Sequence, residues 1–232
     1  KLRAELAPND SARRFSAMGI DVYLGQGRFT DNDTLEVAGS TLQFKKAVIA
    51  TGARAVIPAI PGLDQVEYLT NETLFSLTEL PKKFGVVGTG PIGCEMAQTF
   101  ARLGSEVLLI QTKNGILPRE DRDAARCIRV ALERDGVVLK DGAHNLRVEP
   151  AKDGKIRMLV ESQNDGLDEI VDQLLVAVGR IPNVEGLGLD AAGVKYSGQG
   201  VVVNDNLRTT NRNIFAAGDV CSSCRFTHAA DF

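Results

Sequence analysis

Three features of this 232-residue sequence predict an α/β protein built on a βαβαβ half. Short, continuous apolar runs end in tight glycine turns. Stretches of helical periodicity separate three of these runs. A glycine-rich turn joins the first of the three to the first helix. Composition agrees with this reading: apolar residues are 44% and charged residues 25%, as in an ordinary globular chain. That excludes a disordered tail, a collagen-like rod and a disulfide scaffold. The net charge of −3 offers no basic field for nucleic acid. No apolar run approaches the roughly 18–20 residues that a membrane helix needs.

Residues 3–18 read as a helix with only Leu6 and Phe15 apolar among charges on several sides. Asp21–Leu24, Thr34–Val37 and Thr41–Phe44 read as strands, with a turn at Gly25–Phe29. Their alternation and their Gly, Asn and Asp punctuation predict a small antiparallel meander. Ala47–Ala50 is a continuous apolar run, which fits a strand buried on both faces. After Thr51-Gly52-Ala53, the stretch with Pro58, Pro61 and Gly62 reads as a connection between domains.

Phe84–Val87 is the next short buried strand. Pro91–Leu103 is a helix, because Ile92, Met96, Phe100 and Leu103 recur on one face. Pro91 suits its first turn and Gly104 the position past its end. Val107–Ile110 is a strand, residues 120–134 a helix closed by Asp135-Gly136, and Val137–Leu139 a third strand. Parallel strands need such crossovers. Residues 145–172 alternate again, broken at Asp153-Gly154 and Asp165-Gly166, which are hairpin signals. Leu174–Ala177 is another buried run. Val48-Ile49-Ala50-Thr51-Gly52 resembles Leu175-Val176-Ala177-Val178-Gly179. This repeat suggests two nucleotide-binding domains with the same finishing sequence.

Gly88-Thr89-Gly90-Pro91-Ile92-Gly93 fits G-x-G-x-x-G between a predicted strand and a predicted helix, the context in which the motif binds a dinucleotide. Gly88 makes the turn, Gly90 lets backbone approach a pyrophosphate, and Gly93 lets helix and strand pack closely. The helix start then presents free N–H groups and a positive dipole end to the anion. An acidic residue at the end of the second strand selects NAD through its ribose 2′-OH. Here Gln111-Thr112-Lys113 stands there. Neutral Gln111 does not repel a 2′-phosphate, and Lys113, with Arg119 or Arg122, can bind one. The expected coenzyme is therefore NADPH rather than NADH.

Asp219 follows the apolar run 214–217, at a strand's carboxyl end, where open α/β sheets bind ligands. Its alternative role is a helix cap. Glu95 is either a ligand-facing acid or a first-turn acid favoured by the helix dipole. His144 carries no function, and His228 is a capping or packing residue. Four irregularly spaced cysteines suit a reducing cytoplasm. Cys221-Ser-Ser-Cys224 has the spacing of a redox pair or half a metal site, against a plain packing and loop role. Cys94 and Cys127 are expected to pack on helices.

Several motifs together resemble one family, the flavin-dependent pyridine nucleotide-disulfide oxidoreductases. They are Ala50-Thr51-Gly52, Pro61-Gly62, the Gly88–Gly93 loop with Glu95, Ala177-Val178-Gly179-Arg180 with Pro182-Asn183, and Ile214–Val220. They occur in the family's order and cover nearly the whole chain. Leu117–Asp121 and Phe226–Asp231 look most like mercuric reductase and its close relatives.

The resemblance implies a Rossmann-like NAD(P)-binding domain, βαβαβ plus antiparallel meander, over residues 66–183. It would be inserted in a partial FAD-binding domain of the same type, formed by residues 1–65 and 184–232. Gly27, Thr51 and Gly52 would line the adenosine end of FAD, Asp219 would accept hydrogen bonds from the ribityl chain, and the backbone around Thr227 would meet the flavin ring. Gly88, Thr89, Gly90, Pro91, Ile92 and Gly93 would hold the NAD(P)H pyrophosphate. Gln111 and Lys113 would hold its adenosine ribose and Val148 its adenine side. Gly179 would line the same cleft, and Glu95 would sit near the nicotinamide.

No first G-x-G-x-x-G precedes Ala50, no C-x-x-x-x-C pair is present, and the family's C-terminal interface domain with its His-Glu pair does not follow. The sequence is therefore expected to be an internal piece of a longer cytoplasmic, homodimeric enzyme, with no catalytic residue and no metal site of its own. That enzyme would pass electrons from NAD(P)H through FAD and a redox disulfide to Hg(II) or a disulfide. A dihydrolipoamide dehydrogenase-type enzyme is the alternative within the family. A non-catalytic NAD(P)H-binding module and a CxxC metal protein are the alternatives outside it.

Overall fold

The structure is a computed structural model that describes residues 4–5, 7–110, 115–140, 142–161, 166–223 and 225. The chain divides into two compact units, Lys1–Ala53 with Pro182–Phe232, and Arg54–Ile181.

In the first unit Ala4 and Glu5 are helical, a 3-10 turn spans Ala7–Asp10, and a short helix α1, Ala12–Ala17, follows, whose cap Ser11 accepts a hydrogen bond from the Arg14 amide through its hydroxyl. Among the described residues the helix expected over 3–18 is thus interrupted by the 3-10 turn. α1 buries no residue, so no apolar face extends it. Asp21–Leu24, expected as a strand, forms none. Val22, Tyr23 and Leu24 are exposed and pair with no described strand. The meander is β1 (Arg28–Asp31), β2 (Thr34–Val37) and β3 (Ser40–Gln43), antiparallel in that order. β4 (Ala47–Ile49) lies parallel to a late strand, β16 (Ile214–Ala216), with Val48 opposite Phe215. Ile49 is buried, but Val48 is 63% exposed. The described residues therefore cover β4 on one face, where the apolar run predicted cover on both. Phe29, Ile49, Val194, Ile214, Ala216 and Val220 form part of this unit's core.

The second unit starts within β5 (Ala53–Ala55), at Arg54. The expected boundary near residue 65 is corrected to Ala53/Arg54, and the second from 183 to Ile181. The reason is packing. Leu63 belongs to the core of the second unit, with Ile60, Val66 and Tyr68 packed against it. The Val148 amide donates to the Pro61 carbonyl at 2.9 Å. Gly62 holds φ +80°, and a Cβ there would stand 1.9 Å from the Val148 carbonyl oxygen. Pro58–Gly62 is a packed part of the unit, not a free linker.

The strands are β6 (Lys83–Val87), β7 (Glu106–Ile110), β8 (Val138–Lys140), β9 (His144–Pro150), β10 (Ile156–Glu161), β11 (Leu167–Val171) and β12 (Gln173–Val176). The helices are α2 (Pro91–Leu103) and α3 (Arg122–Arg134). Asp121 caps α3 by accepting from the Asp123 and Ala124 amides. β12-β6-β7-β8 form a parallel sheet and β9-β10-β11 an antiparallel meander.

The sheet is a middle layer. Val86, Val107 and Leu109 pack with Cys94, Ala97 and Leu132 of the helices. Val87, Leu108 and Ile110 pack with Val148, Met158 and Val160 of the meander. Successive residues thus face opposite layers, as the period of two demands. This explains why the runs read as continuously apolar. Two short strands, β14 (Tyr196–Ser197) and β15 (Gly200–Val201), complete the first unit after β13 (Arg180–Pro182).

Asp172, between β11 and β12, accepts from the Lys83 amide at 2.7 Å and pairs with Lys155 at 2.9 Å. The Lys83 amide, then Lys155, outweigh the effect of burial and hold its carboxyl below the usual range. Its stabilising effect is therefore full above the ordinary carboxyl pKa of about 4 and is lost as pH falls through the lowered folded value. Asp172→Asn is expected to lower the urea midpoint at pH 7. The difference from wild type should narrow progressively as the same titration is repeated at lower pH, through and below the lowered value.

Candidate functional site

β6 has β7 on one side and β12 on the other. The chain leaves β6 toward β7 and β8 and returns to β12, so the carboxyl end of β6 is a topological switch point, where such sheets bind ligands. The Gly88–Gly93 loop begins there. Gly88 holds φ +112°, and a Cβ on it would stand 2.4 Å from the Ala177 carbonyl oxygen at the end of β12. A Cβ on Gly93 would stand 1.9 Å from the Gly88 carbonyl oxygen. The turn can close only because both side chains are missing. Gly90 differs: nothing lies within 4 Å of a Cβ built there. Its φ of −72° is ordinary. Sterics inside the protein do not require glycine at position 90, and the open space beside it is what a bound group would fill.

Gly90 is the N-cap of α2 and Pro91 its first residue. The first intrahelical bond runs from the Cys94 amide to the Gly90 carbonyl at 3.0 Å. Pro91 has no N–H, and the Ile92 and Gly93 amides precede the first residue with an intrahelical acceptor. Among the described residues none accepts from Thr89, Gly90, Ile92 or Gly93 through the main chain. The loop therefore offers a set of amides and the positive end of a 13-residue helix.

Thr89 is 9% exposed, and its hydroxyl donates to the Gly115 carbonyl at 2.9 Å. Its side chain thus faces the protein, and only its amide remains for a ligand. Cys94 is buried beneath the loop and its thiol donates to the Thr89 carbonyl at 3.4 Å. Burial, with the neighbouring Glu95 charge, pushes this thiol up to about 11, so it stays protonated. Glu95 is exposed on the first turns of α2.

A cavity of about 870 Å³ lies in the same unit, lined by Pro61, Val87, Asn145, Leu146, Arg147 and Val178 among others. Val87 and Val178 immediately precede Gly88 and Gly179, so the cavity adjoins the carboxyl edge. Gly179 is exposed, with φ +144°. Val148, expected at this cleft, is 1% exposed, with its side chain in the core and its amide bonded to Pro61. It is Asn145–Arg147 of the same strand that line the open space. The alternation of β9 concealed this from sequence reasoning, because a shift of one residue reverses the face. Gln111, Lys113 and Thr227 lie outside the described residues. Arg119 and Arg122 are exposed.

In the first unit Asp219 sits in the turn Gly218–Val220, just past β16, and is 8% exposed. Thr51 and Gly52 follow the neighbouring parallel strand β4. The Ala217 amide donates to the Ile49 carbonyl at 3.0 Å and keeps these two strand ends level. The Thr51 hydroxyl donates to the Asn183 carbonyl at 2.8 Å, and the Asn183 side-chain amide donates back to the Thr51 carbonyl at 2.9 Å. Thr51 is thus engaged by Asn183, a residue quoted only as part of a motif. Gly27 precedes β1, and a Cβ on it would meet Leu35 at an ordinary 3.6 Å. The Cys221 thiol donates to the Gly218 carbonyl at 3.5 Å and is raised by burial. Cys224, its CxxC partner, lies outside the described residues.

A family model described as pyridine nucleotide-disulphide oxidoreductase matches residues 6–231. A mercuric reductase of Bacillus cereus is 40% identical over 217 residues, 92% of this chain and 34% of that protein. A dihydrolipoyl dehydrogenase of Thermus scotoductus is 36% identical over 91% of this chain and 46% of its own length. The solved HOCl-induced flavoprotein disulfide reductase RclA from Escherichia coli superposes with TM-score 0.85 at 36% identity, over 96% of this chain and 51% of that one. The chain spans about a third to a half of the length of these relatives.

Gly93→Ala places a methyl against fixed backbone oxygen. It is expected to destabilise the second unit by roughly 3 kcal/mol or more, measured as a fall in the denaturant midpoint.

Proposed function

The chain belongs to the pyridine nucleotide-disulphide oxidoreductase family, and from that premise we propose that it forms the coenzyme-binding core of a flavoenzyme that carries electrons from NAD(P)H to a thiol-seeking acceptor, Hg(II) or a disulfide, as in the mercuric reductase branch. The observation that carries this reading is the Gly88–Gly93 loop. Two of its glycines are demanded by the protein's own backbone, and the third, Gly90, faces open space at a helix start.

The residues present fit a dinucleotide. The pyrophosphate would lie over Gly90, with the amides of Gly90, Ile92 and Gly93 donating to its oxygens and the α2 dipole favouring its charge. The cavity lined by Asn145–Arg147 adjoins this loop and offers room for the rest of the coenzyme. Gly179, without a side chain, leaves the edge open beside it. Glu95 stands on the exposed side of the first turns of α2. Gln111 and Lys113 would favour the 2′-phosphate of NADPH, since neither repels it. Arg119 and Arg122 are the further cations nearby in sequence.

The first unit fits the outer part of a second dinucleotide. The Asp219 carboxylate at the strand edge would accept hydrogen bonds from a polyol chain. Gly52, with φ +66° and nothing within 4 Å of a Cβ, leaves the end of β4 open. The Thr51–Asn183 pair holds that end in place. Thr227 and Gly27 complete this set by resemblance. When bound, FAD supplies the hydride acceptance and the transfer to a disulfide; the protein binds, orients and tunes. The reading carries with it a homodimeric cytoplasmic enzyme, and no described helix is long and apolar enough to cross a membrane.

Gly90→Val tests the reading directly. Its Cβ meets nothing within 4 Å, and the loss of glycine at the N-cap of α2 costs about 1 kcal/mol, so the thermal midpoint should fall by only about 2–4 °C. NADPH affinity, followed by quenching of protein fluorescence or by calorimetry, should fall at least tenfold. Unchanged affinity, or a wild-type chain that binds no pyridine nucleotide, overturns the proposal. Parallel titrations should give tighter binding of NADPH than of NADH; tenfold tighter NADH overturns the coenzyme preference alone.

A further inference from the structure

The cavity beside the phosphate loop is apolar along most of its wall and polar at one place. Pro58, Ile60, Val160 and Val178 are among its apolar lining residues. Glu161 is the one carboxylate and Arg147 the one cation among the described residues that line it. The Arg147 guanidinium pairs with Glu149 at 3.5 Å. Glu161 instead accepts from the Asn145 side-chain amide at 2.7 Å, and Asn145 lines the cavity too.

Backbone geometry brings this pair together. While β10 runs from Leu159 to Glu161, the residues paired with it on β9 run from Arg147 to His144, so β9 carries one extra residue. Asn145 lies in this bulge with φ +49°, a left-handed conformation that asparagine tolerates better than most residues. Bulges of this kind re-aim side chains at the rim of a sheet. The Asn145 amide donates through Nδ2 to Glu161 Oε2. Asn145 Oδ1 and Glu161 Oε1 then remain as acceptors, and neither receives from a donor among the described residues. Two acceptor oxygens, held together by one hydrogen bond, thus stand at an apolar cavity.

We propose that Asn145 and Glu161 read the adenine base of the coenzyme, accepting hydrogen bonds from its exocyclic amine while the apolar wall covers the ring. This rests on the reading of the Gly88–Gly93 loop as an NAD(P)H site. A planar ring with apolar faces and an amine on its edge matches the arrangement, and the N6 amine of adenine supplies the donors. Hypoxanthine and guanine carry an oxygen at that place, which two acceptors repel. Selective base sites combine contact to the ring faces with hydrogen bonds to the edge in this way. A site whose polar groups are set to meet a donor rejects the analogue that lacks it, because those groups are then left unpaired.

The test compares the binding of NADPH with that of deamino-NADPH, in which hypoxanthine replaces adenine. The same comparison with NADH and deamino-NADH carries the same expectation. Wild type should bind the adenine coenzyme about tenfold more tightly than its deamino analogue, in proportion to a hydrogen bond made to a charged acceptor. Glu161→Gln, which replaces one acceptor oxygen by a donor, should bring that ratio below about threefold, chiefly by weakening the adenine coenzyme. Asn145→Gly keeps the left-handed backbone free of strain and removes the amide, and it should lower the ratio likewise. Equal binding of the two coenzymes by wild type overturns the proposal. So does a Glu161→Gln protein in which both affinities fall by the same factor, since that assigns the pair to the shape of the cavity or to another part of the coenzyme. A wild type that binds no pyridine nucleotide overturns the functional reading itself, whereas an unchanged ratio in a binding-competent variant overturns only the role of Asn145 and Glu161.

Discussion

The second unit depends on one close approach, that of the Gly93 α-carbon to the Gly88 carbonyl. A β-carbon at either residue would overlap backbone, so the turn from β6 into α2 exists only as a bare main chain. The approach sets the start of α2 directly over the carboxyl end of the central strand. It also brings the first-turn amides together at the one place in the sheet where neighbouring connections diverge. Packing then fixes the rest. Ala97 and Cys94 of α2 lie against Val86, Val107 and Leu109, and stacking of Phe84 with Phe100 at 4.3 Å anchors the helix at its far end. The Gln98 and Arg102 side chains reach Asp135 at the end of α3. Burial alone would raise the Asp135 carboxyl, but these hydrogen bonds and the Arg102 charge hold it below the usual range.

The first unit applies the same rule with fewer strands. β4 and β16 are parallel and end level, and the residues that follow them, Thr51-Gly52 and Gly218-Asp219, lie at their carboxyl ends. Here the local order comes from side chains rather than from missing ones. Asn183 and Thr51 exchange hydrogen bonds, and the Asn183 amide donates to the Gly52 carbonyl at 3.0 Å. A glycine contact makes a surface on which a ligand can lie. A side-chain clasp makes an edge that keeps its shape. The two units thus shape the ends of their parallel strands by different means.

How much of this was legible in the sequence follows from which forces are local. The strands β6, β7 and β12 and both long helices read correctly because their patterns are set by burial on two faces or one, and burial shows in residue type. The tight turn at Gly88–Gly93 was legible because only glycine meets its two backbone contacts. Asp21–Leu24 alternates like a strand, but a strand also needs a partner, and partners are not local. The domain boundary was misplaced because Pro58, Pro61 and Gly62 look like a linker. The bond from the Val148 amide to Pro61 that packs them comes from a residue far along the chain. Val148 itself was assigned to the cleft although it belongs to the core, since strand register cannot be counted reliably across a bend. The hydroxyl of Thr89 gave no signal, because its partner, Gly115, is a carbonyl supplied by another loop.

The relatives carry names that point to different acceptors, a metal ion, a lipoyl group and a disulfide, yet each aligns with nearly all of this chain. That is the expected outcome if coenzyme binding and acceptor reduction are separable. The constraints found here are backbone contacts: a carbonyl that excludes a β-carbon, amides without internal partners, strand ends that stay level. Such constraints are set by the main chain and, under the proposed function, are indifferent to what the electrons finally reduce. Among the described residues the reactive sulfur chemistry is also muted. Cys94 is buried and protonated, and Cys221 is shifted upward by burial, whereas a nucleophilic thiol needs the opposite shift. Under the proposed function, what the chain contributes to any of those reactions is the main-chain geometry at two strand edges.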